Sequence, residues 1–358
     1  MTDVRLTLVG PMPPPVNGQS VVMSHMVSAL SQHFPRMRVA DNGDGEAHGW
    51  RRPLVAVGRS VAAWRWIPGS DAVYIAVKAD HGMWLTTATA VIARMVGAHV
   101  FLHHHSYVYV RERKRRMVAL TRAAGPLARH VVLSQSMAND LRQVMPEIRA
   151  PLLVGNAALV DSTLLDLPLT TDADDLVLGH LSNLSLDKGI AEVVDLASAL
   201  HRAGTRVRLV VAGPTVDGES RLHLERAERE LGGSFEYRGS VGGRAKSEFF
   251  REITHFVFPT RYVHEAVPLV LYEAMAAGAV CVVTRRGAIP EQLADSPSVL
   301  TESSESFVEE ALPTLVGTSA SAAASRDSRQ AYLRALSESE RQLADLVTLL
   351  AIRCDRAR

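Results

Sequence analysis

Short β-branched and apolar runs alternate along the chain with longer stretches whose apolar positions recur every three to four residues. The short runs predict strands at Leu6–Val9, Ala72–Val77, Val100–His104, Val131–Ser134 and Leu152–Val154. A second series follows at Val177–Leu181, Val207–Ala212, Phe235–Tyr237, His255–Phe258, Ala279–Thr284 and Val299–Leu300. Helical spacing between them is clear at Ser20–Gln32, Ile190–His201 and Leu222–Leu231. Alternation of this kind builds parallel sheets covered by helices on both faces. Two such series imply an α/β chain of two Rossmann-like, doubly wound domains. Asp161–Asp175, with Pro168 and an acidic cluster, reads as the linker, and Gly317–Ser328 as a second loose connection. From Arg329 to about Ile352, Leu333, Leu336, Leu343, Val347 and Leu350 fall on one face of a long helix. The expected domains are therefore 1–160, 161–325 and a C-terminal helical segment 326–358.

Composition narrows this picture in three ways. A length of 358 residues suits two cores better than one, and 47% hydrophobic with 22% charged residues is ordinary for a globular chain. The net charge of +1 hides an asymmetry. Residues 1–150 carry 18 Lys+Arg against 9 Asp+Glu, an excess of +9, and the remainder carries 21 against 29, an excess of −8. Halves of opposite sign meet different partners, or help one another close. The two cysteines, Cys281 and Cys354, fit neither a disulfide framework nor a metal spacing, which points to a reducing cytoplasm. No signal peptide is expected ahead of the strand-like Arg5–Val9, and no apolar run is long enough to span a membrane.

The most informative segment is His264-Glu265-Ala266-Val267-Pro268-Leu269-Val270-Leu271-Tyr272-Glu273-Ala274-Met275-Ala276-Ala277-Gly278. Leu269 to Ala277 are good helix formers and Gly278 is a natural C-cap. Glu265 then lies in the loop entering the helix and Glu273 inside it, with amide donors suited to an anion between them. One carboxylate can hold a sugar hydroxyl and the other a ribose diol. Two ordinary glutamates on a surface helix are the plain alternative.

Other candidate chemistry falls after strands, where open parallel sheets bind ligands. Gly10 to Ser20 is a proline-stiffened loop leading into a helix, with Gly18 open to close backbone approach. Ser182 to Gly189 carries Lys188, an ammonium able to neutralise phosphate. His103-His104-His105 closes a strand; only His103 and His105 can share a face, and no further ligand stands at metal spacing. Arg111, Arg113, Lys114, Arg115, Arg116, Arg122 and Arg129 make a cationic amphipathic stretch. It reads as a solvated face, or as a contact for anionic lipid through residues 111–122, with Trp64 and Trp66 as an interfacial anchor or as core. Nucleic acid is disfavoured, because no aromatic interleaving or binding motif accompanies the charge.

The stretch "PTRYVHEAVPLVLYEAMAAGAVCVVTRRGAIPEQL" resembles the Glu-x7-Glu region of the family 4 retaining glycosyltransferases of the GT-B fold. The resemblance continues through "LVGPMPPPVNGQS", "GHLSNLSLDKG", which contains His180, "VRLVVAGP" and "FEYRGSV", in matching order. It implies a GT-B architecture, two Rossmann-like domains facing a cleft with a C-terminal helix crossing back. It implies transfer of a sugar from a UDP- or GDP-sugar to an acceptor hydroxyl with retained configuration. Catalytic roles would fall to Glu265 and to His104 or His105. Donor binding would fall to Gly18, Gln19, Asn183, Lys188, Val241, Val267, Pro268, Leu269 and Glu273. The acceptor would be a glycan, a lipid-linked sugar or a small molecule, in glycan, glycolipid or metabolite biosynthesis. No Asp-x-Asp metal site stands out, so no metal or other cofactor is expected to be required. The pattern departs from the family at Asn183, where many relatives carry Arg, and at Ala266 and Ala288, where many carry Gly. Arg261 is a candidate for the missing second cation. A GT-B epimerase or phosphorylase and a non-catalytic partner subunit remain as rivals. A nicotinamide dehydrogenase is the weakest, since no Gly-x-Gly-x-x-Gly follows the first strand.

Overall fold

The computed structural model describes residues 3–15, 18–45, 47 and 50–352. Val16, Asn17 and Cys354 lie outside the described residues. The chain forms two compact units: Met1–Leu159 with Glu338–Arg358, and Val160–Ser337.

The first unit runs β1 (Leu6–Gly10), α1 (Gly18–Ser31), β2 (Arg38–Asp41), α2 (Arg51–Trp64), β3 (Ala72–Val77), α3 (Met83–Met95), β4 (His99–His104), α4 (Arg115–Ala124), β5 (Arg129–Val132), α5 (Gln135–Val144) and β6 (Leu152–Leu153). Its sheet has the order β2-β1-β3-β4-β5-β6, and all its strand pairs are parallel. The central strands β1 and β3 are buried along their whole length, as their continuous apolar sequences require.

The second unit runs β7 (Leu176–Leu181), α6 (Ile190–Arg202), β8 (Val207–Ala212), α7 (Gly218–Leu231), β9 (Phe235–Tyr237), α8 (Gly243–Glu252), β10 (His255–Phe258), α9 (Leu269–Ala277), β11 (Val280–Thr284), α10 (Ile289–Gln292), β12 (Val299–Thr301), α11 (Phe307–Leu315) and the start of α12 (Ala322–Leu350). Its sheet order is β12-β11-β10-β7-β8-β9, again parallel. A hydrophobic cluster between sheet and helices includes Leu178, Ile190, Leu209, Val257, Val282 and Phe307.

Three local findings depart from expectation. The strand β2 is absent from the hydrophobic pattern because two of its four residues, Arg38 and Val39, are exposed. The supposed linker is structured: Ser162–Asp166 forms a 3-10 turn capped by Asp161. The supposed loose connection at 317–328 is helical from Ala322, so α12 starts earlier than its leucine pattern. Within the second unit, Arg329 donates to the carbonyls of Leu167 and Ala276, each at 2.8 Å. Within the first, Ser339 Oγ donates to Gly155 O at 2.6 Å and Gln342 accepts from Gly155 N at 2.8 Å.

Gly213 follows β8 at φ +118°, and a Cβ there would collide with the carbonyl oxygen of Ser182 at the end of β7. Its amide donates to Gly239 O at 2.6 Å, which ties the loops after β7, β8 and β9 together. Gly213→Ala should therefore cost about 2–4 kcal/mol. Urea unfolding of the variant checks this; an unchanged midpoint would contradict the packing described.

Candidate functional site

In the second sheet the chain leaves β7 to lay down β8 and β9 on one side, then returns to place β10 on the other. That reversal between neighbouring strands is where an open α/β sheet leaves a crevice at its carboxyl edge. The loop after β7 contributes Lys188, and the loop after β10 contributes Glu265. Their side chains meet: Lys188 Nζ donates to Glu265 Oε2 at 2.5 Å. The pair is largely enclosed, with side-chain exposures of 21% and 12%. Thr260 Oγ1 donates to the same carboxylate oxygen at 3.3 Å. The Lys188 ammonium also lies 4.5 Å from the ring centre of Tyr262 and 5.5 Å from that of Phe258.

The two loops are laced together around this contact. Arg261 N donates to Asp187 O at 2.9 Å, and Arg261 Nε to Leu186 O at 3.1 Å. Gly189 takes a left-handed conformation at φ +84°, where a Cβ would strike the carbonyl of Pro259. The loop after β11 closes the other side: Ala288 N donates to Ala266 O at 3.0 Å. Ala266 and Ala288 are both buried, so small side chains suffice at these two departures from the glycine pattern.

Helix α9 occupies Leu269–Ala277 with Gly278 as a left-handed C-cap, as its sequence predicts. Pro268 precedes it as N-cap residue, and Val267 and Pro268 are buried. The first amides of a helix have no intrahelical acceptor, which leaves them available to an anion. Glu273 is buried inside the helix, and Lys246 Nζ of α8 donates to its Oε1 at 2.6 Å. Sequence reasoning missed Lys246. The available signal was the amphipathic run before β10, in which Phe249 and Phe250 are buried and Lys246 sits one turn earlier. Arg261, the candidate second cation, is bound to Glu192 at 2.6 Å. Asn183 is exposed, and Val241 is partly exposed beyond β9. His180 is buried in β7, with Nδ1 on Val257 O and Nε2 on Ser182 Oγ, each at 2.9 Å, and supports the loop from below.

In the first unit the corresponding reversal lies between β1 and β3. Gly18 opens α1, and Gln19 Nε2 donates to Val77 O at 3.3 Å at the end of β3. Lys78 follows, donates to Asn42 O, and is pushed down to about 8 by burial. Asp41 accepts from Met12 N at 3.1 Å and Gly43 N at 2.9 Å, fixing the loop after β1. Asp41 escaped the sequence reading because β2 did, and Lys78 because its partner Asn42 lies in the loop after that strand. The histidines separate by strand alternation. His104 is fully buried and its Nε2 contacts His130 Nδ1 at 2.9 Å. The His105 ring is tilted against that of His103 with centroids 3.9 Å apart, and its Nε2 is buried and unpartnered among the described residues. The chain does contain one Asp-x-Asp, Asp172-Ala173-Asp174. Asp172 caps Ala322 N at 2.8 Å and Asp174 faces Arg206 at 3.5 Å, away from the loops above. Among the described residues no group of three or more His, Cys, Asp or Glu is arranged to hold a metal ion.

Comparison with known proteins adds to this geometry. Residues 167–311 match the family model described as glycosyl transferases group 1. EpsF of Bacillus subtilis (strain 168), a glycosyltransferase by designation, is 32% identical over 114 residues. That match spans 31% of this chain and 28% of the length of EpsF. Whole-chain likeness comes from solved structures. HepE of Anabaena in complex with UDP has a TM-score of 0.73 at 15% identity, covering 96% of this chain and 100% of HepE. Sucrose-phosphate synthase of Thermosynechococcus elongatus has a TM-score of 0.68 at 15% identity, covering 96% and 99%. The fold, two parallel six-stranded sheets with flanking helices, is GT-B.

Burial also sets an acid limit on stability. His130, His180 and His255 are each pushed down to about 4 by burial. Their folded values lie below the unfolded value near 6.5, so the unfolded chain binds more protons between the two. Stability is complete above about 6.5 and falls as pH drops toward 4, by about 1.4 kcal/mol per unit for each group. Urea unfolding at pH 7 and pH 5 should show this loss; a flat profile would mean that these rings gain protons in the folded state.

Proposed function

We propose that the chain is a family 4 glycosyltransferase that moves a sugar from a nucleotide-diphosphate donor to an acceptor hydroxyl with retention of anomeric configuration. The observation that carries this reading is the meeting of Lys188 and Glu265 at the reversal of the second sheet, 2.5 Å apart. A donor diphosphate would take Lys188 and the first amides of α9, opening that ion pair. Glu265, released, would turn to the hydroxyls of the donor sugar. Glu273 would hold the ribose diol, sharing or surrendering Lys246. Val241, Val267, Pro268, Leu269 and Asn183 would line the nucleotide, and Gly18 and Gln19 are the donor-binding candidates carried by the first unit. His105 is the better placed of the two histidine candidates, because its Nε2 has no partner among the described residues while His104 Nε2 is taken by His130. The UDP bound in the HepE structure and the UDP-glucose bound in a second one make a UDP-sugar the first donor to try.

In the step itself the bond from the anomeric carbon to the diphosphate oxygen breaks. The acceptor oxygen bonds to that carbon on the same face, and its proton passes to the departing phosphate oxygen. Products are the glycoside and the nucleoside diphosphate. The cationic and amide groups act on the charge that grows on the leaving group, the term that usually dominates such catalysis. No general base opposite the leaving group is needed, and no metal or other cofactor enters. The acceptor belongs to the first unit in this reading and is a glycan, a lipid-linked sugar or a small molecule. The setting is the cytoplasm, in glycan, glycolipid or metabolite biosynthesis.

Lys188→Ala and Glu273→Gln should each weaken UDP binding by about 1.5–3 kcal/mol, roughly ten- to a hundredfold, as loss of a charge-assisted contact does. Calorimetry measures this, with circular dichroism to check folding; unchanged affinity in both variants would remove the site assignment. Stereochemistry is the sharper test. Proton NMR of the product made in excess EDTA from an α-linked donor should show an α linkage. A β linkage, or activity lost to EDTA and restored by magnesium, would overturn the mechanism. Turnover of donor without a separate acceptor would favour an epimerase or phosphorylase.

A further inference from the structure

The first sheet steps from β2 to β3, β3 to β4 and β4 to β5 in one direction across the order β2-β1-β3-β4-β5-β6. Right-handed crossovers therefore place α2, α3 and α4 on the same face, and α3 packs against both α2 and α4. These helices bury small or apolar residues inward: Ser60 and Ala63 of α2, Ala90 and Ala93 of α3, Met117 and Leu120 of α4.

Their outward side is unusual. Leu54, Val57 and Val61 form one exposed stripe along α2, at helical spacing, with Leu54 62% exposed. Trp50, just before the helix, is 74% exposed. Trp84, Val91 and Met95 do the same along α3. All four tryptophans of the chain lie between residues 50 and 84, and Trp64 alone is withdrawn, its Nε1 bonded to Thr89 Oγ1 at 3.0 Å. None of the three helices contains an acidic residue. Arg51 and Arg65 flank the stripe and lie over the rings of Trp50 and Trp66. Arg115 and Arg116 of α4 form no ion pair among the described residues, and the charge of Arg122 is felt by Glu147 without a direct ion pair.

We infer that this face docks on an anionic lipid bilayer, with the α2 and α3 stripes entering the interface and the arginines meeting lipid phosphates. The chemistry selects the occupant. Exposed tryptophans with aliphatic neighbours and arginines, on helices that carry no carboxylate of their own, match the boundary between headgroup and acyl chain; Arg52 and Arg59 of α2 are paired with Asp44 and Asp41 and are not counted among the lipid contacts. A nucleic-acid backbone would engage the arginines and leave the apolar stripes in water. A second copy docked through the same face would set arginine against arginine. The inference also moves the contact expected at residues 111–122. Arg111 pairs with Asp140 at 3.2 Å and Arg113 with Glu147 at 2.9 Å, so the start of that run is already neutralised. The apolar anchor lies on α2 and α3 instead.

Sedimentation with phosphatidylcholine vesicles, with and without phosphatidylglycerol, tests this independently of catalysis. The chain should bind the anionic vesicles, and less so as salt rises. The triple variant Leu54→Ser, Val57→Ser, Val61→Ser should lose about tenfold or more in partitioning, since each exchange removes apolar area that the bilayer would cover. The triple Arg115→Ser, Arg116→Ser, Arg122→Ser should lose the dependence on phosphatidylglycerol. Tryptophan emission of the unaltered chain should shift to the blue on adding anionic vesicles, a readout that survives if a variant folds poorly. Absence of binding, equal binding by parent and both variants, or self-association in place of vesicle binding would each overturn the inference.

Discussion

The enclosed contact between Lys188 and Glu265 is the constraint around which the second unit is arranged. Two charges taken from water lose more hydration than their attraction returns, unless further polar contacts complete their shells. Thr260 supplies one such contact and the rings of Tyr262 and Phe258 face the ammonium. The pair is thus tolerated rather than stabilising in its own right. It stands where the strand order reverses, the one place on the sheet edge at which neighbouring strands send their loops apart. A charged contact held at that point, at a cost in desolvation, makes sense as one that a ligand of opposite pattern exchanges.

Backbone geometry makes the exchange possible. The loops after β7, β8, β10 and β11 approach so closely that glycine is the residue that fits at three crossings: Gly189 against Pro259, Gly213 against Ser182 and Gly287 against Glu265. All three have positive φ. Lacing by backbone hydrogen bonds, as from Arg261 N to Asp187 O, leaves the functional side chains with little structural duty. Arg261 is the exception. Its ion pair with Glu192 and its bond to Leu186 O make it a clamp, and so a poor stand-in for the cation that Asn183 does not supply.

Much of this was legible in the residues because the elements concerned are buried on both faces or punctuated. Helix α9 runs from a proline N-cap to a glycine C-cap, and both ends fall where the sequence places them. Strands β3, β8 and β10 match to the residue because largely apolar, buried runs leave no other arrangement. Illegible parts share a different physics. An edge strand such as β2 needs burial on few positions, so Arg38 and Val39 hide it. The first turns of α12 are built of alanine and serine, which pack closely against Gly278 but carry no amphipathic stripe. The roles of Lys246 and His104 depend on which distant group faces them, Glu273 and His130, and no local pattern encodes that.

The same distinction resolves the charge asymmetry of the chain. The +9 excess of residues 1–150 could in principle be a uniform field. It is instead two populations. One set is bound to carboxylates that hold the fold: Arg5 to Asp71 at 3.3 Å, Arg59 to Asp41 at 2.7 Å, and Arg113 to Glu147 at 2.9 Å. The other, Arg51 and Arg65 at the ends of α2 and Arg115 and Arg116 on α4, forms no ion pair among the described residues and lies near exposed apolar side chains of α2 and α3, although α2 also carries the paired Arg52 and Arg59. Exposed ion pairs contribute little to stability, so acid residues absent from α2, α3 and α4 are not explained by folding. Nor are exposed tryptophans, whose rings would be more favourably placed in a core. A surface that keeps both features together is shaped by something outside the fold.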